Sequence, residues 1–173
     1  MIFSKNIHKT IESVVDKPHS VKHLQIWHQN LESWIGKLSP LVNLHLLDIR
    51  YTETIELPEK ISKLTNLKKL VILNEPIKVF PEWICNMNSL QELTFRGTDI
   101  EEIPMSIGKL TNLKFLELGN NKLEALPIEI GKLSKLKEFR IPDNPISYIP
   151  KEIIVLPRLK FIGTAGTNIN KKC

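Results

Sequence analysis

Leu113-Lys114-Phe115-Leu116-Glu117-Leu118-Gly119-Asn120-Asn121-Lys122-Leu123-Glu124-Ala125-Leu126-Pro127-Ile128-Glu129-Ile130-Gly131-Lys132-Leu133 is the stretch that decides the architecture. Leu116 and Leu118 stand two apart, which sends both to one face of a strand and Phe115 and Glu117 to the other. Leu126, Ile130 and Leu133 are spaced four and three apart, the stripe of a short helix. Pro127 follows the first of them, where a missing N–H costs little at a helix start. The stretch therefore reads as strand, turn and short helical segment.

The same pattern recurs along the chain. Leu113, Leu116, Leu118, Leu123, Leu126, Pro127, Ile130 and Leu133 return 23 residues later as Leu136, Phe139, Ile141, Ile146, Ile149, Pro150, Ile153 and Leu156. They occur 23 residues earlier as Leu90, Leu93, Phe95, Ile100, Ile103, Pro104, Ile107 and Leu110. The columns run back through two more copies to Val21, Leu24, Ile26, Leu31, Trp34, Ile35, Leu38 and Leu41. Six copies occupy residues 21–158 without insertion or deletion, and a partial seventh begins at Leu159. One copy cannot bury its apolar stripe alone, so neighbours must stack. Parallel strands stack about 4.8 Å apart and helices are bulkier, so the strand side becomes the inner face of an arc.

These columns resemble the leucine-rich repeat family in its 23-residue form. They are similar both to the Ras-group repeats of eukaryotic cytosolic proteins and to bacterial repeat proteins with the phrase Leu126-Pro127-Ile128-Glu129-Ile130-Gly131-Lys132-Leu133. The resemblance implies an α/β fold: a right-handed leucine-rich repeat solenoid with a parallel strand ladder on its concave face and short helical segments on its convex face. It also implies that the asparagine column, Asn121 and Asn144, satisfies backbone groups where the chain leaves the strand. Earlier copies carry Gln29, Thr52, Glu75 and Thr98 there, which can make only part of such a ladder.

Three regions follow. Residues 1–20 form an N-terminal cap, residues 21–158 the six repeats, and residues 159–173 a partial repeat and tail. In the cap, Ile7, Ile11, Val14 and Val15 lie at helical spacing behind Ser4, which predicts a short helix from about residue 5 to 16. The alternative is a degenerate repeat, since Met1, Phe3, Asn6, Ile11 and Val15 fall on repeat columns. At the other end, Ile154 and Val155 replace Gly131-Lys132 and Ser62-Lys63. They are expected either to lie under the C-terminal tail or to form a weak self-association patch.

The 173 residues include 24 Leu and 23 Ile, enough for a packed core, so disorder is excluded. No apolar run approaches the roughly 18 residues of a membrane span. The start lacks the apolar stretch of a secretory signal. Cys85 and Cys173 are too few for a disulfide framework, and both thiols are expected free. The paired-cysteine caps of many extracellular relatives are absent, so a cytoplasmic protein is expected, or, for a bacterial source, an exported one whose signal is not visible in this chain. The formal charge of +5 is mild and does not point to nucleic acid.

The chain holds no phosphate loop, zinc-protease helix or nucleophile elbow, and no catalytic residue, cofactor or metal site is expected. His8, His19, His23, His28 and His45 all lie in the first 45 residues without converging as ligands. The inner-face columns are more informative. One runs Trp27, Arg50, Leu73, Arg96, Gly119, Pro142 and Ala165; the next runs His28, Tyr51, Asn74, Gly97, Asn120, Asp143 and Gly166. Aromatic residues and arginine, which anchor interfaces, stand in the early copies only. Trp27, His28, Asp48, Arg50, Tyr51, Leu73 and Arg96 are therefore the candidate partner site, with Lys69 and Glu92 beside them. Phe115 and Phe161 are weaker candidates. The reading is a non-catalytic module that binds another protein; for a bacterial source the resemblance extends to adhesion or host interaction. Two alternatives remain: an anionic-ligand or nucleic-acid binder using the Arg and Lys columns, and a self-assembling structural module.

Overall fold

The computed structural model describes the backbone of Ile7–His8 and residues 14–169. Eight parallel strands form one sheet in chain order: β1 (Ile7–His8), β2 (His23–Trp27), β3 (Leu46–Arg50), β4 (Lys69–Leu73), β5 (Glu92–Arg96), β6 (Phe115–Glu117), β7 (Glu138–Arg140) and β8 (Phe161–Gly163). From β2 to β8 the register is one repeat per strand, so Leu24, Leu47, Leu70, Leu93, Leu116, Phe139 and Ile162 lie side by side. Columns of the sequence are thus rows across the sheet. The rows pointing away from the inner face are buried, from Leu24 and Ile26 through Leu116 and Leu118, with Trp34, Phe95 and Phe139 the largest fully buried side chains.

The return paths are single turns of 3₁₀ helix at Glu59–Lys63, Glu82–Asn86, Met105–Lys109 and Ile128–Lys132. Each begins right after a proline, and the carbonyls of Pro58, Pro81, Pro104 and Pro127 accept the N–H of Ile61, Ile84, Ile107 and Ile130. The first copy has Ile35 in the proline column, and there an α-helix spans Glu32–Leu38. A proline at 35 would stand inside that helix and remove a needed donor.

The turn after the strand explains the next column. His28, Tyr51, Asn74, Gly97, Asn120, Asp143 and Gly166 all have φ between 52° and 73°, the left-handed region. The N–H of each of the first six donates to a carbonyl of the following repeat, from His28 to Arg50 at 3.1 Å through Asp143 to Ala165 at 2.7 Å. The ladder therefore continues one residue past the strand, at a backbone angle that favours Gly, Asn and Asp.

Below that turn Asn121 donates to the carbonyls of Phe95 and Leu118, both at 2.8 Å, and accepts the Thr98 N–H at 3.1 Å. Asn144 repeats the arrangement on Leu118 and Leu123. Glu75, 1 % exposed, accepts the N–H groups of Thr52 at 2.9 Å and Thr54 at 3.0 Å. A carboxylate has no hydrogen to donate, so it supplies the accepting half of the ladder only.

One expectation about the ends needs correction. A continuous helix from about residue 5 to 16 is not formed, because Ile7 and His8 pair as strand with His23 and Leu24. The degenerate-repeat alternative puts Met1 beside Leu24, whereas the observed neighbour is His8. Helix is present at Val14–Val15, and Val14 joins the core; Ser4 and Ile11 lie outside the described residues. At the other end, Ile154 and Val155 are 58 % and 74 % exposed, uncovered by the chain up to residue 169. The reason is visible in the preceding copies. A Cβ at Gly108 would sit 2.9 Å from the Glu129 carbonyl oxygen, and one at Gly131 2.8 Å from that of Glu152. A small residue is needed wherever another helical segment stacks on the position, and no such segment follows Ile154 up to residue 169. The tail Lys171-Lys172-Cys173 lies outside the described residues. Cys85 is free and fully buried, and burial pushes its thiol pKa up.

Candidate functional site

Trp27, Arg50, Leu73 and Arg96 are in-register neighbours on β2, β3, β4 and β5 and form one continuous row on the concave face. Three gaps of about 4.8 Å give the row a length of roughly 14 Å. Arg50 is fixed from two sides. Its Nε and Nη2 donate to the two Asp48 carboxylate oxygens at 2.6 and 2.8 Å, and its guanidinium lies 4.9 Å from the centre of the Trp27 ring. This bidentate pair and the cation–π contact hold a planar cation in one place. Asp48 itself is 3 % exposed. Asp48 is therefore not one of the exposed partner-site residues that the sequence suggests; it is a positioning residue beneath Arg50, because the longer arginine folds back across it.

His28 and Tyr51 lie beside the row, on the left-handed turn. Their rings stack with centroids 4.9 Å apart and planes within 4°. Tyr51 is 48 % exposed and Trp27 36 %. Lys69 pairs with Glu92 across β4 and β5, each about two-fifths exposed, and forms a solvated edge. The structure thus brings together six of the seven candidate residues at the surface and places Asp48 under them.

A second cluster on the same face was only half legible in the sequence. Arg140 lies over both Phe115 and Phe161, 5.2 and 5.6 Å from the ring centres, and donates to Glu138 at 2.9 Å. Phe115 and Phe161 stand two repeats apart in one column with Arg140 in the next column of the copy between them, a diagonal that the register alone could have revealed. Glu117, next to this cluster, was expected to face solvent but is 6 % exposed. Its carboxylate accepts the Gly119 N–H at 3.3 Å, and a Cβ on Gly119 would come within 2.6 Å of that oxygen. Burial raises the Glu117 pKa above the usual 4.5, against the opposing pull of Arg96, the Gly119 bond and Arg140.

Above pH 4.5 the unfolded carboxyl loses its proton before the folded one does. The fold therefore binds the extra proton, and stability falls as pH rises through that window. Glu117→Gln keeps an acceptor for Gly119 and cannot ionise. It is expected to flatten this slope and to leave the protein at least as stable at neutral pH, which urea unfolding at several pH values would measure.

Lys22, Lys68, Lys114, Lys137 and Lys160 line the entry side, where burial and then the neighbouring Lys68 and Lys22 lower the His45 pKa. Among the described residues no three His, Cys, Asp or Glu side chains are grouped to hold a metal ion, and no helix is long and apolar enough to cross a membrane.

Comparison with known proteins agrees with this architecture. A family model described as leucine-rich repeats, two copies, matches residues 88–129. A leucine-rich repeat protein of Leptospira interrogans superposes with a TM-score of 0.84 at 21 % identity, over 95 % of this chain and 48 % of that one. The chain is a leucine-rich repeat solenoid. Internalin C2 of Listeria monocytogenes is also similar, with a TM-score of 0.69 at 18 % identity over 84 % of this chain and 62 % of that one. The leucine-rich repeat ectodomain of the receptor kinase SOBIR1 of Arabidopsis thaliana gives 0.57 at 26 % identity, over 64 % of this solenoid and 63 % of that chain. This solenoid thus spans between about half and two thirds of those chains. No curated protein matches the sequence. The matches indicate a fold commonly used to bind proteins and no enzymatic family.

Proposed function

We propose that this solenoid is a protein-binding module whose anchor is the N-terminal half of the concave face: Trp27, His28, Arg50, Tyr51, Leu73 and Arg96. The observation that carries this reading is the pair His28 and Tyr51. Both hold left-handed backbone in a column that elsewhere uses Asn, Gly and Asp. A bulky side chain there costs about 1–3 kcal/mol of backbone strain. Trp27 and Tyr51 are large, exposed and locked by Arg50 and His28, so little entropy is lost on docking. Asp48 keeps Arg50 in position.

The test is a comparison of captured proteins. Immobilised wild-type chain and the Asn120→Ala chain should retain the same partner, and the Trp27→Ala/Tyr51→Ala chain should lose it. Retention by the double variant would refute the reading.

The exposed pair Ile154 and Val155 supports weak self-association as a secondary property. Replacing them by the serine and lysine of the second copy, Ile154→Ser and Val155→Lys, should change stability by less than about 0.5 kcal/mol. Sedimentation at two concentrations should then show less association than for the wild type.

A further inference from the structure

A groove runs along the flank of the solenoid beyond the strand ends, outside the concave row. It has a volume of ≈ 1040 Å³ and is floored by Leu57 and Phe80, with Ile55, Val79 and Trp83 on its walls. Ile55 and Val79 are 76 % and 79 % exposed. The scaffold does not call for them. The column of Ile55 holds Glu32, Lys78, Glu101 and Glu124 in other copies, and that of Val79 holds Ser33, Glu56 and Glu102 in the early copies and Ala125 and Tyr148 in the late ones. Trp83 stands where other copies have Lys37, Lys60, Ser106 and Glu129. Two departures from polar to apolar, Ile55 and Trp83, therefore converge with Val79 on one groove.

Its rim is acidic although the chain as a whole is basic. Glu56, Glu82, Glu101 and Glu102 line it, and Lys78 is the one cation among the lining residues. None of these four carboxylates is in an ion pair among the described residues. A carboxylate rim around an apolar floor matches a ligand with cationic side chains around an apolar one. The volume exceeds that of a single side chain and suits several residues of extended chain.

We propose that this groove binds an extended basic peptide segment carrying one apolar anchor. A second copy of the chain seated through its lysine edge is the poorer fit. Its basic edge, Lys22, His45, Lys68, Gln91, Lys114, Lys137 and Lys160, holds no apolar side chain to fill the floor. The proposal rests on other observations than the concave-face anchor, although His28 and Tyr51 share a neighbouring hollow with Ile55, Glu56 and Trp83.

The experiment is an NMR titration of the isotope-labelled full chain with a short acetylated peptide of lysines and arginines around a central leucine. Saturable binding is expected, with shifts at the amides of residues 55–57 and 78–83 and at the Trp83 indole. A peptide with serine for leucine should bind about tenfold more weakly, and one with glutamates for the basic residues should not bind. Ile55→Ser/Val79→Ser should weaken binding about tenfold, as should Glu101→Gln/Glu102→Gln, so one folded variant suffices. Trp27→Ala should leave it unchanged, which separates this site from the concave one. Absence of saturable binding, wild-type affinity in both flank variants, shifts confined to the concave row, or self-association that the peptide cannot displace would each overturn the proposal.

Discussion

Leu116→Ala is expected to lower folding stability by about 2–5 kcal/mol, the range found for buried leucine truncations. Leu116 is fully buried and sits in register between Leu93 and Phe139, both also fully buried. A cavity there has a packed repeat on either side. Each repeat contacts only its neighbours, so losing this contact weakens two interfaces at once. Ile162 occupies the same column in β8, where it is only partly buried. Ile162→Ala should therefore cost clearly less than Leu116→Ala in the same urea titration. Equal losses at the two positions would mean that the interior interfaces are no tighter than the terminal one.

The strand register was legible because it rests on spacing alone. Every row from Leu24 to Ile162 follows from adding 23 to a residue number. Burial on the concave face was less legible. Alternation predicts that Asp48 and Glu117 face solvent, yet they are 3 % and 6 % exposed. Arg50 covers the first by folding back on it, and the second lies under its own turn, where Gly119 leaves room for the carboxylate. Period-two patterning describes where a side chain starts and not what lies across it. The N-terminal cap misled for a related reason. Ile7, Ile11, Val14 and Val15 satisfy a helical period, but β2 offers an open strand edge, and pairing Ile7 and His8 to it covers backbone groups that a helix would leave exposed.

The turn column shows how a site residue can be recognised by what it costs. Asn74, Gly97, Asn120, Asp143 and Gly166 are residue types at ease with positive φ, and together they mark the column as left-handed. A Cβ at Gly97 would also meet the Asn74 carboxamide oxygen at 2.4 Å, so that exposed side chain would have to turn aside. Against that background Tyr51 goes against the local backbone, and His28 does so less, histidine being commoner than most residues at positive φ. Their stacking at 4.9 Å returns part of the cost, about 0.5–1.5 kcal/mol for an aromatic pair. Their packing is thus of the same order as the strain, so the two rings are close to neutral for the fold, and recognition is the reason we propose for keeping them.

That reasoning separates stability from binding in one residue. Tyr51→Asn relieves backbone strain of about 1–2 kcal/mol and loses a ring stack of similar size, so its folding stability should stay within about 1 kcal/mol of the wild type. Its partner affinity should fall by about 2 kcal/mol or more, the loss expected of a central aromatic anchor. Trp27→Ala should lose a similar amount of binding, because it removes both the exposed ring and the surface on which Arg50 rests at 4.9 Å. Asn120→Ala, in the column of Tyr51 but on the C-terminal half, should cost little binding. Asp48→Asn supplies the finer measurement. It leaves the row itself intact but replaces the bidentate carboxylate that holds Arg50 at 2.6 and 2.8 Å. Arg50 then pays more entropy on docking, and affinity should fall by an intermediate amount, about 1 kcal/mol. Isothermal titration against the captured partner, with urea unfolding of each variant alongside, would read both quantities. Binding that survives Trp27→Ala and Tyr51→Asn but fails when Phe115 or Arg140 is truncated would move the anchor to the C-terminal cluster.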